Sequence, residues 1–292
     1  MEMEIPYTVS ARPDTGLYNA KIGIWLFLAS EVMLFGGLFS GYVFLRMGAQ
    51  PGYWPHGMLN VPIGTLNTCI LISSSVTAVL AWASLKMRQF TQYQMWMAAT
   101  IVLGVLFLII KLCYEWPEDF KRCGVYIKQE ALAKYEPYLG NQYLYSKGLP
   151  PRVEITGELE NEDALTNPNT REYDLHVDAT YADPTNPAND RPSFFQRPVS
   201  DKVVKINKAD VDFASKFYPS HNTFFGCYFL IASLHALHVF GGLIVFSYFL
   251  ITGSKLYRKN PEHLCNRVEV AGLFWHFVDL VWIFVFPLFY LL

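Results

Sequence analysis

The chain has 292 residues, of which 52% are hydrophobic, 16% aromatic and only 16% charged, with a mean hydropathy of +0.20. Soluble domains carry roughly 25% charged residues, so the composition argues against a soluble domain and for an integral membrane protein. The formal net charge of -2 gives no footing for a nucleic-acid partner, and 5 Cys without a CxxC or CxxCH spacing give neither a disulfide framework nor a zinc site.

In chain order, the opening MEMEIPYTVSARPDTG is polar and acidic, with no basic region ahead of an apolar core. It is therefore not a signal peptide, and the first span must direct the chain to the membrane itself. A span needs about 20 mostly apolar residues. Five stretches qualify, from about Ala20 to Leu45, Val61 to Leu85, Tyr93 to Tyr114, Asn222 to Ile251 and Val268 to Leu292. All five are expected to be helices, because a helix satisfies its backbone internally in lipid and an open strand does not. The expected fold is an all-α integral membrane bundle of five helices. It divides into residues 1–19 on the cytoplasmic side, helices one to three over 20–115, an extracytoplasmic insertion over 116–220, and helices four and five over 221–292. The orientation follows from basic residues. Lys86 and Arg88 follow the second span, and Lys255, Arg258, Lys259 and Arg267 follow the fourth. The loop after the first span holds only Arg46. The N-terminus is thus expected inside and the C-terminus outside.

The insertion is mixed in charge and rich in Pro, Asn and Asp, as in DPTNPANDRP (Asp183 to Pro192). Lys121 to Leu139 reads as a short amphipathic helix, and the remainder as coil laid on a partner or as a partly disordered segment.

Polar groups inside the spans carry the functional reading. Glu31 sits in WLFLASEVMLFGG, where a carboxylate costs several kcal/mol unless it is protonated, paired or hydrated. His276 and Asp279 in the fifth span, and His235 and His238 in the fourth, fall near the same depth at about 1.5 Å per residue. Three helices therefore place imidazoles and carboxylates in one layer that faces the bundle interior. The three-residue spacings put each pair on one helix face. That pattern suits metal or haem ligands or a proton relay, and equally a hydrogen-bonded network that fixes packing. Gly36, Gly37 and Gly41, and Gly241 and Gly242, allow close helix approach or room for a lipid chain. Lys111 and Glu115 are expected to snorkel or to pair locally, and Tyr53, Trp54, Tyr114 and Trp116 to form an interfacial belt.

Four segments resemble subunit III of the haem–copper oxidases, most closely the cytochrome c oxidase type in its short five-helix bacterial form. They are WLFLASEVMLFGGLFSGYVFLR (Trp25 to Arg46), WPHGMLNVPIGTLNTCILISSS (Trp54 to Ser75), HNTFFGCYFLIASLHALHVFGG (His221 to Gly242) and VEVAGLFWHFVDLVWIFVFPLFYL (Val268 to Leu291). The last carries an ExAxxxWHFVDxVWxFxFP signature. The resemblance implies a subunit of the bacterial inner membrane that binds no haem or copper itself. Haem and copper would sit in oxidase subunits I and II, with bound phospholipid between the helices of this one. It implies that Glu31 is a buried, carbodiimide-reactive acid that supports proton uptake, with His235, His238, His276 and Asp279 as a polar network rather than redox-metal ligands. Lys255, Arg258 and Arg267 are candidates for anionic lipid headgroups. The insertion is long for this family and inherits nothing from the resemblance; its expected side is where cytochrome c docks on such oxidases.

Two other readings compete. One is the equivalent subunit of a quinol oxidase or nitric oxide reductase, with the same fold. The other is an independent transporter using Glu31 and the histidines as a proton relay, which predicts inverted repeats and broken helices. The sequence displays neither, and its one proline well inside a span is Pro287, near the end.

Overall fold

The structure, a computed structural model, describes residues 19–49, 54, 59–135, 152–160, 162–178, 199–216, 219–220 and 222–291. Most of the expected N-terminal segment, Tyr53 and the stretch Asp183 to Pro192 lie outside the described residues. The expected spans are helices α1 (Asn19–Gly48), α2 (Val61–Lys86) and α3 (Phe90–Ile109), then α5 (Thr223–Lys259) and α6 (Pro261–Phe286), with a short α4 (Trp116–Lys121) before the insertion. All five are long and apolar enough to cross a membrane. A π-helical turn (Ile110–Glu115) carries α3 directly into α4, and a second one (Pro287–Leu291) prolongs α6.

Helix ends differ from the expectation where apolarity and helicity part company. The fourth helix runs to Lys259 and the fifth starts at Pro261, so the expected basic loop reduces to Asn260. Asn260 caps the fifth helix by accepting the His263 amide at 3.1 Å, and Pro261 takes the first helical position, where its missing N–H costs nothing. Lys255, Arg258 and Arg267 are therefore helical residues, all exposed.

By contacts the chain forms two compact units. The helical unit comprises Met1–Gly41, Gly64–Leu112 and Leu230–Leu292. Within it, α2 and α6 run antiparallel and are tied side chain to side chain. The Trp275 indole donates to the Ser74 hydroxyl at 3.0 Å, and the Trp282 indole to Thr68 Oγ1 at 3.0 Å. At the far end of α6, Tyr290 packs against Gly64, where an added Cβ would come within 2.6 Å of its ring. Helices α3 and α5 are joined by the Tyr93 hydroxyl, which donates to the Phe249 carbonyl at 3.2 Å. With no hydrophobic drive between helices in lipid, such bonds and close packing hold the bundle together. Helix α1 is the least enclosed: only 11% of its apolar window is buried within the chain. It meets α6 through Phe27 on Phe274, Phe35 on Phe277 and Phe39 on Phe284, and through a Lys21–Glu269 ion pair at 2.8 Å.

The second unit comprises Tyr42–Ile63 and Cys113–Phe229. Here the insertion differs from the expected helix and coil. Its described residues form a five-stranded antiparallel sheet, β1 (Arg122–Lys128), β2 (Arg152–Leu159), β3 (Glu172–Asp178), β4 (Val199–Asn207) and β5 (Val211–Lys216), in the order β4-β3-β2-β1-β5. The cause is a period of two. Cys123, Val125 and Ile127, Ile155 and Leu159, Tyr173, Leu175 and Val177, and Val204 and Ile206 all point to one buried face. Edge strands β4 and β5 are joined by the single 3-10 turn Lys208–Asp210. Four inter-strand steps of about 4.8 Å make roughly 19 Å in a flat sheet, more than four extended residues at about 3.5 Å can span. The sheet therefore curls, bringing its edges together into a small barrel around that core. Of the expected interfacial belt, Trp54 packs edge-on to Phe224 and Trp116 edge-on to Phe229, while Tyr114 is exposed.

Candidate functional site

The polar layer is assembled as two constellations, both inside the helical unit. The first joins α1 to α5. The His238 Nε2 lies 2.9 Å from Glu31 Oε2, and both side chains are only slightly exposed. The other ring nitrogen, Nδ1, lies 2.7 Å from the carbonyl oxygen of Leu234, one turn earlier. A carbonyl can only accept, so Nδ1 carries a hydrogen and Nε2 is the atom turned to the acid. Phe35 meets the imidazole edge-on at 5.4 Å, and Phe274 stacks on it at 6.2 Å, which holds the ring plane. One further proton then belongs to the Glu31–His238 bond, whichever atom it sits on. The pair is neutral overall, which is the state that a low-dielectric bundle tolerates.

The second constellation joins α2 to α6. His276 Nδ1 lies 2.7 Å from the Ser75 hydroxyl, and the Asp279 carboxyl, one turn along, lies beside the same hydroxyl. Thus His276 and Asp279 face α2 rather than Glu31. His235 points elsewhere again. It is 1% exposed, lies over the Trp282 ring at 5.1 Å and takes the Phe107 ring edge-on at 5.8 Å. The three-residue spacing on α5 therefore sends His238 toward α1 and His235 into the core with α3 and α6.

Sequence reasoning passed over Ser75, Asn67 and the Lys21–Glu269 bridge. The signal was available in α2, where Asn67, Ser73, Ser74, Ser75 and Thr77 interrupt an apolar run. Lys111 also departs from expectation, for it does not snorkel. It is 1% exposed, hydrogen-bonds the Tyr290 hydroxyl and sits over the rings of Trp282 and Tyr290 at 4.9 and 5.1 Å. The two π-helical turns place Lys111 and Tyr290, and the aromatic faces supply the negative potential that an ammonium needs away from water. In the second unit, Glu115 accepts from the Tyr228 hydroxyl at 3.0 Å. Among the described residues, no group of three or more His, Cys, Asp or Glu is placed to hold a metal ion.

Five apolar helices tied by interior polar bonds define a multi-pass membrane protein. The family model for cytochrome c oxidase subunit III matches residues 14–124 and 203–292. The chain belongs to that family, the subunit III component of the haem–copper oxidases, which are oxidoreductase complexes. A cytochrome c oxidase subunit 3 from Alkalihalophilus pseudofirmus is 25% identical over 94% of this chain and 87% of its own length. A haem–copper oxidase subunit I+III from Aeropyrum pernix is 22% identical over 93% of this chain and 22% of its own length. A cytochrome bo(3) ubiquinol oxidase subunit 3 from Buchnera aphidicola subsp. Baizongia pistaciae is 21% identical over 95% of this chain and 94% of its own length. The family match stops at 124 and resumes at 203, so most of the barrel lies in the gap between its two segments.

Proposed function

We propose that this chain is the non-redox accessory subunit III of a proton-pumping cytochrome c oxidase of the bacterial inner membrane. It packs against subunits I and II, which hold the haem and copper, and it supports proton uptake, lipid binding and the stability of the catalytic subunit while oxygen is reduced to water. The observation that carries this reading is the Glu31–His238 bond. A carboxyl that holds one proton against an imidazole can release and recover it without leaving a bare charge in the bundle. The bond also fastens the least enclosed helix, α1, to α5. His276 and Asp279 act with Ser75 as a second polar tie, and His235 belongs to the core.

Supporting the orientation, the Tyr257 hydroxyl donates to the Arg88 carbonyl at 3.1 Å, so the α2–α3 turn and the end of α5 share one end of the bundle. Lys86, Arg88, Lys255, Arg258 and Arg267 cluster there, which suits the cytoplasmic face and anionic lipid headgroups. The barrel then lies on the opposite, extracytoplasmic side, where it covers a neighbouring subunit or helps to hold cytochrome c. The name of the Aeropyrum relative joins subunits I and III in one chain, which supports a partnership with subunit I.

The test is Glu31→Gln in the assembled oxidase. Haem content and initial oxygen consumption should stay near wild type, because no electron passes through Glu31. Proton uptake at alkaline pH and the number of turnovers before inactivation should fall. Unchanged uptake and lifetime would refute the role given to Glu31. A ubiquinol oxidase is the second reading, favoured by the Buchnera relative. A reduced-minus-oxidised spectrum of the purified complex separates the two: haem a-type bands support the cytochrome c oxidase, and haem b or o bands the quinol enzyme.

A further inference from the structure

Three side chains in the helical unit keep polar atoms away from both solvent and protein partners. Both amide atoms of Asn67, both ring nitrogens of His235 and both carboxyl oxygens of Asp279 are buried without a hydrogen bond of good geometry among the described residues, although Asp279 lies beside the Ser75 hydroxyl. Asn67 and His235 are 0% and 1% exposed. The three come from three helices, α2, α5 and α6, and converge on one indole. His235 lies over the Trp282 ring at 5.1 Å. Asp279 precedes Trp282 by about one turn on the same buried face of α6. Asn67 adjoins Thr68, whose hydroxyl accepts the Trp282 N–H at 3.0 Å.

Leaving such groups unpaired costs about 1–3 kcal/mol each, and native interiors almost always satisfy them. What satisfies them must both donate and accept, since Asn67 presents an N–H and a C=O, a neutral imidazole one of each, and Asp279 two acceptors. It must also be small, because aromatic rings and Leu-sized side chains close the surroundings. A lipid headgroup fails on size, and a metal cation fails on the amide and imidazole donors.

We propose that Asn67, His235 and Asp279 line an internal water site beside Trp282, separate from the Glu31–His238 pair. At about three hydrogen bonds per buried water, six polar atoms are served by about two molecules. The site turns a set of orphaned groups into a connected network that reaches the Ser75 hydroxyl and, through it, His276. It gives the α2–α5–α6 core a polar interior that the apolar faces of its helices conceal.

Radiolytic hydroxyl labelling of the intact, purified oxidase complex tests this, because radicals formed from a bound water oxidise the side chains around it. After normalisation for intrinsic reactivity, Trp282 should label several-fold more than Tyr93, which is equally buried and bonded to the Phe249 carbonyl. Asn67→Leu, close in volume and unable to hold water, should lower the labelling of Trp282 and leave Tyr93 unchanged. Trp282 labelling no greater than that of Tyr93 overturns the site. Strong labelling that Asn67→Leu does not reduce also overturns it, since the water would then belong to other groups. A high-resolution map of the same complex gives an independent reading: solvent peaks within hydrogen-bonding distance of Asn67, His235 and Asp279 support the site, and direct bonds from these side chains to each other or to a neighbouring subunit refute it.

Discussion

His238 holds Glu31 through Nε2 at 2.9 Å while its Nδ1 is committed to the Leu234 carbonyl at 2.7 Å. The helix that carries the imidazole thus also fixes which nitrogen meets the acid, and Phe35 and Phe274 prevent the ring from turning away. His238→Ala should leave the carboxyl half-buried and unpaired, at a cost of about 1–3 kcal/mol. Glu31→Gln keeps a side-chain amide that can donate to Nε2 and should cost less. Thermal release of the chain from the purified complex, followed by gel analysis of the retained subunits, ranks the two. A lower midpoint for Glu31→Gln than for His238→Ala would mean that the acid is held by something other than this imidazole.

Trp275 is the tightest junction of the helical unit. Its ring lies between Gly104 of α3 and Gly242 of α5, where added Cβ atoms would approach it to 2.9 and 2.8 Å, and its N–H is spent on Ser74. Gly104→Val places a branched side chain against Trp275 and the Leu243 methyl, neither of which can yield without repacking the core. A loss of about 1–3 kcal/mol is expected from overpacking. Trp275→Ala should cost more, about 3–5 kcal/mol, because it opens a cavity and orphans Ser74. Both are read as lowered thermal midpoints of the complex. A neutral Gly104→Val would show that α3 can move away from α6, contrary to the packing described.

The barrel is closed by a tether that responds to pH. The Tyr135 hydroxyl donates to Asp210 at 2.8 Å and accepts the Asn207 amide at 3.1 Å, and Lys134 reaches the same Asp210 oxygen at 2.8 Å. The hydrogen bond from Lys134, then that from Tyr135, holds the Asp210 carboxyl below its ordinary range. The Lys134 ammonium is raised in return, first by Asp210. For the depressed acid, the stabilisation is present above the unfolded carboxyl value of about 4 and is lost as pH falls through the folded one. For the raised amine, it is present below the unfolded value of about 10.4 and is lost as pH rises through the folded one. The tether should therefore be firm from about pH 4 to pH 10. Hydrogen exchange at Asn207 and Ala209, corrected for the intrinsic pH dependence, should show protection falling below that window. Tyr135→Phe should lower it by about 1 kcal/mol within the window. Protection that is flat across acid pH would remove Asp210 from the tether.

Legibility followed the length scale of the signal. The five helices were readable because twenty apolar residues are a strong signal, and the last one could be found from WHFVD alone. Their ends were not readable, because Lys255 to Lys259 and Pro261 to Arg267 are helical but polar, and only the cap at Asn260 separates them. The barrel was hidden for a different reason. Strands such as RCGVYIK and YDLHV alternate over only four or five residues, and the charges of Lys121, Lys128 and Lys134 fall at spacings a helix could also use. At the site, depth along each helix was readable from residue counts, which placed Glu31 level with His238. Rotation was not. Whether His276 faces α1 or α2 depends on which neighbours pack on α6, and only the Ser75 bond answers that. Lys111 was misread because snorkelling is the default for a lysine near a helix end, whereas Tyr290 and Trp282 give it a partner inside.

Two glycines that look alike in sequence should behave in opposite ways. Gly157 in β2 pairs with Cys123 of β1 and Val177 of β3, and an added Cβ would run into the His176 carbonyl group and come within 3.1 Å of Leu175 Cγ. The obstacle is backbone, and His176 is itself paired to Val203 of β4, so the neighbour cannot retreat without breaking a second ladder. Gly157→Ala should destabilise the barrel by about 1–3 kcal/mol and expose the insertion to proteolysis. At Gly36 on α1, by contrast, an added Cβ would meet nothing within 4 Å. In the isolated chain Gly36→Ala should be neutral or stabilising by up to about 1 kcal/mol, since alanine is the better helix former. The informative comparison is Gly36→Ala in the isolated chain against the assembled oxidase, each by thermal midpoint. A gain in both makes the Gly36 face a surface toward fluid lipid. A gain in the isolated chain with a loss in the complex means that a neighbouring helix or an ordered lipid lies against that glycine, and that its missing side chain serves assembly.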